Sequence, residues 1–285
     1  MNFLQSLTDG ISVAAILVIV AMGFAITFGV MKVINLAHGE FIMIGAYTAY
    51  VFVSLLKMPF VVALIGAFLV SALVGMLVEY TVIKRLYGRT LDTLLATLGI
   101  SIILQQLARL IFGVSTKSVS TPMTGSLKLG TVVIPNYRLF IILLSVILVG
   151  ITLFILFRTN FGMKLRSVSM NRSICEVLGI NTAKIDTLTF AYGSGLAGVA
   201  GAVLAPIRGI SSTMGIEYLT DAFMVVVMGG VGSIAGTALG SALIGEFKQV
   251  VAFFSTEVSA SILLFILVIL VLRFKPEGLF KVERR

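Results

Sequence analysis

The only histidine of the chain and a nearby glutamate, His38 and Glu40, lie between two long apolar runs, in the stretch VINLAHGEFIMIGAY. Imidazole and carboxylate groups in such a place can exchange protons, hold a metal ion or line a pore. A metal site is excluded, because the chain has no second histidine and only one cysteine. A hydrolase is disfavoured, because no nucleophile-elbow motif GxSxG occurs. The pair therefore either faces a solute path or fixes a break in a helix.

The composition identifies the environment in which these two side chains must be positioned. Hydrophobic residues make up 59% of the 285 residues and charged residues 12%, with a mean hydropathy of +1.13. Soluble domains are about one-quarter charged, so the chain is predicted to be an integral membrane protein. Lys and Arg number 21 against 12 Asp and Glu. These cations flank apolar runs, which favours a role in membrane orientation and disfavours nucleic-acid binding.

The apolar runs predict membrane spans, since about 20 apolar residues in a helix cross the hydrocarbon core. None alternates as a barrel strand does, so we expect an all-α polytopic helix bundle, with residues 1–285 forming one domain. The predicted spans are Ile11–Met31, Phe41–Leu56, Met58–Val78, Leu91–Phe112, Leu139–Phe157, Thr187–Ile207, Ala222–Gly245 and Val258–Leu272.

Two polar segments interrupt the apolar runs. Ser115–Tyr137 is predicted to be an external loop with a short hairpin, and residues 158–186 are predicted to be cytoplasmic because they are rich in Lys and Arg. Counting spans from there puts the N-terminus outside and the C-terminal tail in the cytoplasm. Glu79 is interpreted as part of a surface pair with Lys84 and Arg85.

Glycine spacing predicts a broken helix late in the chain. Residues 221–257 must cross the membrane an even number of times, and Gly229, Gly230 and Gly232 fall where a continuous helix would lose stability. The span Ile11–Met31 and the stretch after it resemble Thr187–Ile207 and DAFMVVVMGGVGSIAGTALG, with opposite direction through the membrane. Such a relation predicts an inverted repeat.

The polar segment RSVSMNRSICEVLGINTAKID has a helix-like core, Asn171 to Leu178, ended by Gly179. A short amphipathic helix of mixed charge in a cytoplasmic loop either docks onto another protein or lies on lipid. Cys175 within it is given no redox role.

Taken together, several stretches resemble the permease subunits of the branched-chain amino-acid class of ABC importers. These are INLAHGEFIMIGAY, EVLGINTAKIDTLTF, VVVMGGVGSIAGTALGSALIG and KPEGLF. Within that class, LYGRTLDTLLATLGISIILQQ, TFAYGSGLAGVAGAVL and DAFMVVVMGGVG are more similar to the urea permease subgroup.

The resemblance implies a bacterial inner-membrane assembly with a second, homologous permease, two cytoplasmic ATPases and an extracytoplasmic binding protein. ATP and magnesium would bind to the ATPases, and this chain, which lacks the motif GxxxxGK[ST], would be neither an enzyme nor a cofactor protein. The resemblance also makes the polar helix a coupling helix that contacts an ATPase. Its expected contact residues are Asn171, Arg172, Glu176, Leu178, Gly179, Ile180 and Asn181.

Urea is the solute that the sequence favours, because a neutral solute needs amides, hydroxyls and carbonyls, and no Arg or Lys lies deep in a predicted span. A branched-chain amino acid is the alternative, and its carboxylate would need a helix N-terminus or a cation. A stand-alone channel, a secondary carrier and a membrane scaffold are further alternatives. The candidate residues of the solute path are Asn35, His38, Glu40, Thr97, Gln105, Gln106, Ser194, Asp221, Gly229 and Gly230, the last two through freed carbonyls.

Overall fold

The computed structural model describes residues 3–31, 33–129 and 132–280. Within these residues the chain is a bundle of α-helices with one small hairpin, which confirms the predicted all-α class. The helices are α1 (Phe3–Met31), α2 (His38–Ala49), α3 (Phe60–Thr81), α4 (Thr90–Phe112), α5 (Asn136–Arg158), α6 (Asn160–Met170), α7 (Arg172–Val177), α8 (Thr182–Leu204), α9 (Met214–Gly229), α10 (Ile234–Phe254) and α11 (Glu257–Phe274). The hairpin strands are β1 (Ser126–Leu129) and β2 (Val132–Pro135), which pair antiparallel.

Six helices of the described chain are long and apolar enough to cross a membrane: α1, α3, α4, α5, α8 and α11. Each corresponds to a predicted span. The predicted span Phe41–Leu56 is different, because α2 is an α-helix of only 12 residues that continues as a π-helix, Tyr50–Leu55. The helix also begins earlier than predicted, at His38, directly after the break.

The predicted late break is present between α9 and α10, which are bent by 119° relative to each other. Helix α9 ends at Gly229, and the connection includes Gly230 at φ +103°, a backbone conformation that favours glycine. Arg208, just after α8, lies 3.9 Å from Glu257, the first residue of α11. The segment between them therefore leaves one end of the bundle and returns to it, as predicted.

The two halves of the chain repeat the same packing with opposite direction. Helix α3 packs along α8, and its counterpart α10 packs along α1. The short helices α2 and α9 begin at equivalent places and meet at Gly39 and Gly215, where a methyl group on either residue would overlap the carbonyl oxygen of the other. These relations match the predicted inverted repeat.

The hairpin marks one end of the bundle, which we call the hairpin end. Gln5 near the start of α1 bonds to Val133 of β2, and Lys117 pairs with Ile210 after α8. The start of α1 and the end of α8 therefore lie at this end.

The opposite end, here named the loop end, carries residues 158–186 and the tail after α11. The backbone amide of Leu279 bonds to the carbonyl oxygen of Met228. The start of the chain and its tail thus lie at opposite ends, which is the relative placement that the sequence predicted. Three cations used for the orientation, Lys281, Arg284 and Arg285, fall outside the described residues, and so does Lys32, which precedes the break.

Candidate functional site

The break before α2 is stabilised by an asparagine turn. The side-chain oxygen of Asn35 accepts a hydrogen bond from the amide of Ala37 at 3.0 Å, and its backbone carbonyl accepts one from His38 at 3.2 Å. The side-chain nitrogen of Asn35 is buried and has no hydrogen-bond partner within the described residues. Asn35 therefore shapes the turn while leaving one buried donor available.

His38 lies inside the protein, packed between α1 and α2. Its side chain is fully buried, and its Nε2 is 3.3 Å from the carbonyl oxygen of Val20. The rings of Phe24 and Phe41 pack edge-on at centroid distances of 5.3 and 6.4 Å. These contacts fit a role in fixing the break, and they place no part of the imidazole at a surface.

Glu40, two residues further along α2, is held by a polar stripe on α4. Its Oε1 accepts hydrogen bonds from Ser101 Oγ and Gln105 Nε2, each at 2.8 Å. Thr97, one turn earlier on α4, accepts the amide of Leu36 at 3.2 Å. Residues four apart share a helix face, so one stripe of α4 docks on the break. Glu40 Oε2 is buried and has no hydrogen-bond partner among the described residues.

Two other candidates lie apart from this cluster. Gln106 is adjacent to Gln105 in sequence but lies on the exposed side of α4. Ser194 is buried where α8 crosses Gly75 of α3, and its hydroxyl has no hydrogen-bond partner in the described chain. Of the predicted path residues, the fold thus brings together Asn35, His38, Glu40, Thr97 and Gln105 around the first break.

Asp221 forms an ion pair that the sequence did not predict. Its two carboxylate oxygens lie 3.0 and 2.8 Å from Nζ of Lys248, and the side chains are 17% and 24% exposed. Asp221 lies midway along α9. The pair was missed because α10 extends to Phe254 and so includes Lys248, which lies beyond the predicted end of this span at Gly245. An acidic residue in an apolar run, which needs a counter-charge, was the signal for it.

The carbonyls at the second break are not free, contrary to the prediction for Gly229 and Gly230. The Gly229 oxygen accepts the amide of Phe280 at 3.3 Å, and the Gly230 oxygen accepts the amide of Ser233 at 3.1 Å. Gly229 also packs so closely on Gly236 that a Cβ would overlap backbone atoms. The glycines therefore permit close packing and a tight turn at this position.

The predicted coupling segment folds as a capped helix, α7. Asn171 caps its start by accepting the amide of Ile174 at 3.1 Å. Gly179, at φ +78°, ends it and donates its amide to the carbonyl of Glu176 at 3.0 Å. Asn181 then caps α8 by accepting the amide of Lys184 at 2.9 Å. Two helices with separate caps thus meet at a short turn.

One side of this segment is apolar and open. Ile174, Val177 and Leu178 are exposed large hydrophobic residues, with Val177 87% exposed. Cys175 faces the other way and is buried. Ile180 follows the turn and donates its amide to the carbonyl of Cys175 at 2.9 Å. The segment therefore presents apolar side chains at the loop end, while its opposite side, which carries Cys175, is packed against the protein.

Arg172 connects the segment to the bundle. Its guanidinium contacts Asp186 of α8 at 2.7 Å and Glu176 at 3.2 Å, and it lies 5.1 Å from the ring centroid of Tyr87. Glu176 also accepts a hydrogen bond from Thr182 Oγ1 at 2.7 Å. The bond from Thr182, together with Arg172, lowers the pKa of the exposed Glu176 carboxyl below its ordinary value.

Glu79 extends this network into α3, and its interpretation as a surface pair is wrong. Its side chain is fully buried and accepts hydrogen bonds from Tyr87 at 2.8 Å and Thr187 at 2.5 Å. Burial, with the nearby carboxylates, raises the pKa of Tyr87, so its hydroxyl stays a donor. A chain of contacts thus connects α7 to both α3 and α8.

No group of three or more His, Cys, Asp or Glu residues that could hold a metal ion occurs among the residues that the structure describes.

Comparison with known proteins gives consistent relatives. Residues 6–272 match the family model for the permease component of branched-chain amino acid transport systems. The chain is 32% identical to the high-affinity branched-chain amino acid permease protein BraD of Pseudomonas aeruginosa, over 98% of this chain and 95% of that protein. It is 28% identical to the corresponding protein LivH of Escherichia coli K12, over 97% and 95%.

A third relative is LivM of Salmonella typhimurium, also named a high-affinity branched-chain amino acid permease protein, at 26% identity over 97% of this chain and 70% of that one. No solved structure matches significantly. The multi-pass fold and the family match over nearly the whole chain agree, and the chain belongs to the family of permease components of branched-chain amino acid transport systems.

Proposed function

We propose that this chain is the membrane permease of an ATP-driven importer for branched-chain amino acids. The observation that carries the importer assignment is the helix α7, which exposes Ile174, Val177 and Leu178 while Arg172 fixes it to α8. A soluble partner that binds these exposed side chains can move the helix, and the contact of Arg172 with α8 can transmit this movement to the membrane spans. The family resemblance supports a pair of cytoplasmic ATPases as that partner.

The proposed assembly contains a second homologous permease, two ATPases and an extracytoplasmic binding protein. LivH and LivM, which both match this chain, support the idea of paired homologous permeases. ATP and magnesium would be bound by the ATPases. The assembly would lie in a bacterial inner membrane, with the loop end in the cytoplasm and the hairpin end outside.

An amino-acid solute is better supported than urea. The relatives are named as branched-chain amino acid permeases, and Lys248 of α10 is a cation that the sequence had not placed in a span. Asp221 and Lys248 together offer one charge of each sign, as a zwitterion requires. Because a charged pair facing hydrocarbon is costly, its partly exposed side is expected to face a partner permease or the solute path. Urea remains the competing solute on the resemblance of the sequence alone.

The test is uptake into vesicles that contain the purified assembly, its binding protein and internal ATP. We expect ATP-dependent leucine uptake, stimulated by the loaded binding protein, and little urea uptake. Urea uptake without leucine uptake would reverse the substrate assignment while leaving the importer assignment intact. Flux of either solute through this chain alone, without an ATPase, would instead indicate a channel or a secondary carrier.

A further inference from the structure

Two grooves flank the first turns of α8 at the loop end. The larger has a volume of about 590 Å³ and the smaller about 350 Å³. They share Asn181, Lys184 and Leu188, so Lys184 stands between them. Cavities of a few hundred Å³ are large enough for part of a small amphipathic molecule.

Three lysines line the two grooves. Lys164 of α6 lines the larger groove, Lys84 after α3 lines the smaller one, and Lys184 lines both. All three are exposed. Across residues 3–31, 33–129 and 132–280, none of the three side chains makes an ion pair. The site therefore carries positive charge that the described protein does not neutralise.

Nearby carboxylates are already engaged elsewhere. Glu79 is bonded to Tyr87 and Thr187, and Asp186 and Glu176 are bound by Arg172. None of these acids forms an ion pair with the three lysines in the described part of the chain. The uncompensated charge at the grooves follows directly from the network that fixes α7.

Apolar side chains form a large part of both groove walls and continue into the membrane spans. Phe161 and Ile185 line the larger groove, and Met76 and Tyr80 line the smaller. Leu188 lies in the second turn of α8, inside a helix that can span the membrane. The grooves thus pass from a cationic rim to apolar surface, as a lipid does from headgroup to acyl chain.

We propose that the grooves bind an anionic phospholipid, with its phosphate among Lys84, Lys164 and Lys184 and its acyl chains along the apolar walls. Each lysine near a membrane surface strengthens binding to anionic lipid. A zwitterionic headgroup would bring its own ammonium group toward the three lysines and bind less well. The proposal does not depend on which solute is transported.

The position of this site gives the lipid a consequence for coupling. Asn181 and Gly179 line the larger groove and form the turn between α7 and α8. A bound lipid would restrict the movement of that turn. An ATPase is the other occupant to be tested, because residues 178–181 of the coupling segment line the larger groove. The exposed Ile174 and Val177 line neither groove, and the smaller groove shares only Asn181 with this segment.

The test is lipid retention by the purified assembly, measured by native mass spectrometry after equilibration with equimolar phosphatidylglycerol and phosphatidylethanolamine. We expect phosphatidylglycerol to be retained selectively. Replacing Lys84, Lys164 and Lys184 with Gln should reduce the retained amount by roughly tenfold or more, given the contribution of each lysine. Replacing the same residues with Arg should preserve it.

The matched control replaces Lys57, Lys117 and Lys128 with Gln; these lysines lie outside the grooves, two of them exposed and Lys117 half-buried. Retention should then stay as in the unaltered protein. Equal loss in both triple variants would mean that only total charge matters and would overturn the proposal. So would equal retention of the two lipids, or loss of the ATPase from the groove variant with its lipid unchanged.

Discussion

Lys248 shows how much a single residue can change the functional reading. Lys248 of α10 forms an ion pair with Asp221 of α9, and both side chains are partly exposed. The surface on which they lie should face lipid, a partner protein or the solute. Removing one charge leaves the other uncompensated, which destabilises a protein more than removing both. The pair could stabilise the fold or contact the solute, and these two roles predict different behaviour of the single and double variants.

We predict that Lys248→Gln lowers both the yield of assembled transporter and leucine uptake. The double variant Asp221→Asn with Lys248→Gln should recover the yield, because no lone charge remains, but uptake per transporter should stay down by roughly tenfold, about 1.4 kcal/mol of lost solute contact. Yield is measured by size-exclusion chromatography and uptake in vesicles. Full recovery of uptake in the double variant would show that the pair only stabilises the fold and does not contact the solute.

Glu40 gives a second residue-scale prediction, because its contacts do not require its charge. Glu40→Gln keeps the oxygen that accepts from Ser101 and Gln105, whereas Glu40→Ala removes the acceptor of Ser101 and leaves Gln105 only its bond to Ser101 Oγ. The alanine variant should be less stable by roughly 1–3 kcal/mol, measured as a lower melting temperature in detergent. Gln106→Ala, on the exposed side of α4, should have little effect.

The variants Glu40→Gln and Glu40→Ala also distinguish whether Glu40 only anchors α4 or also contacts the solute. If Glu40 only anchors α4, Glu40→Gln should transport normally. A strong loss of uptake with normal stability in this variant would indicate that the carboxylate meets the solute.

At the scale of elements, the contact between α2 and α9 depends on two glycines that touch through their backbones. Gly39→Ala should overlap the Gly215 carbonyl and destabilise the fold by roughly 1–3 kcal/mol. Gly99→Ala is the matched control, since no atom lies within 4 Å of an added Cβ there and alanine favours the helix. Thermal unfolding in detergent measures both, and equal stability of the two variants would contradict the close contact.

The coupling helix gives the pH prediction. Glu176 has a lowered pKa, so the stabilisation from its bonds to Thr182 and Arg172 is complete above its ordinary value of 4.5 and is lost only as the pH falls through the lower folded value. Glu176 therefore stays ionised around neutral pH, so the coupling of ATP hydrolysis to uptake should not change with pH in that range. Glu176→Gln should loosen coupling at all pH values, measured as ATP hydrolysed per leucine imported.

A second variant that tests the same network is Arg172→Lys. It keeps the charge, but its ammonium group cannot contact Asp186 and Glu176 together as the planar guanidinium group does. We expect it to be uncoupled as well while it still binds the ATPase. Normal coupling in both variants would exclude the Arg172 network as the connection to the spans.

The elements were predictable to different degrees for physical reasons. Long apolar runs such as α5 need no partner to be recognised, and the caps Asn171 and Gly179 follow from local backbone chemistry. Contacts between distant elements were not visible in the sequence, so Glu79 was misassigned to the surface. Lys248 was missed because hydropathy ended the span at Gly245, before the helix ends.

For the whole molecule, the relative placement of the ends is defined, and the remaining question is which end faces the cytoplasm. The loop end carries Lys84, Lys164 and Lys184 together with α7, so the positive-inside rule predicts that this end faces the cytoplasm. The hairpin end would then face outward, where a binding protein could deliver solute. The orientation and the coupling role of α7 therefore depend on each other.

The single cysteine makes this orientation directly testable. Cys175 is buried, and its replacement by Ala gives a background without thiols. In intact cells, a membrane-impermeant maleimide should label Lys117→Cys at the hairpin end, whereas Lys164→Cys at the loop end should react only after the membrane is permeabilised. The reverse pattern would place α7 outside the cell, where no ATPase could reach it, and would overturn the proposed importer as a whole.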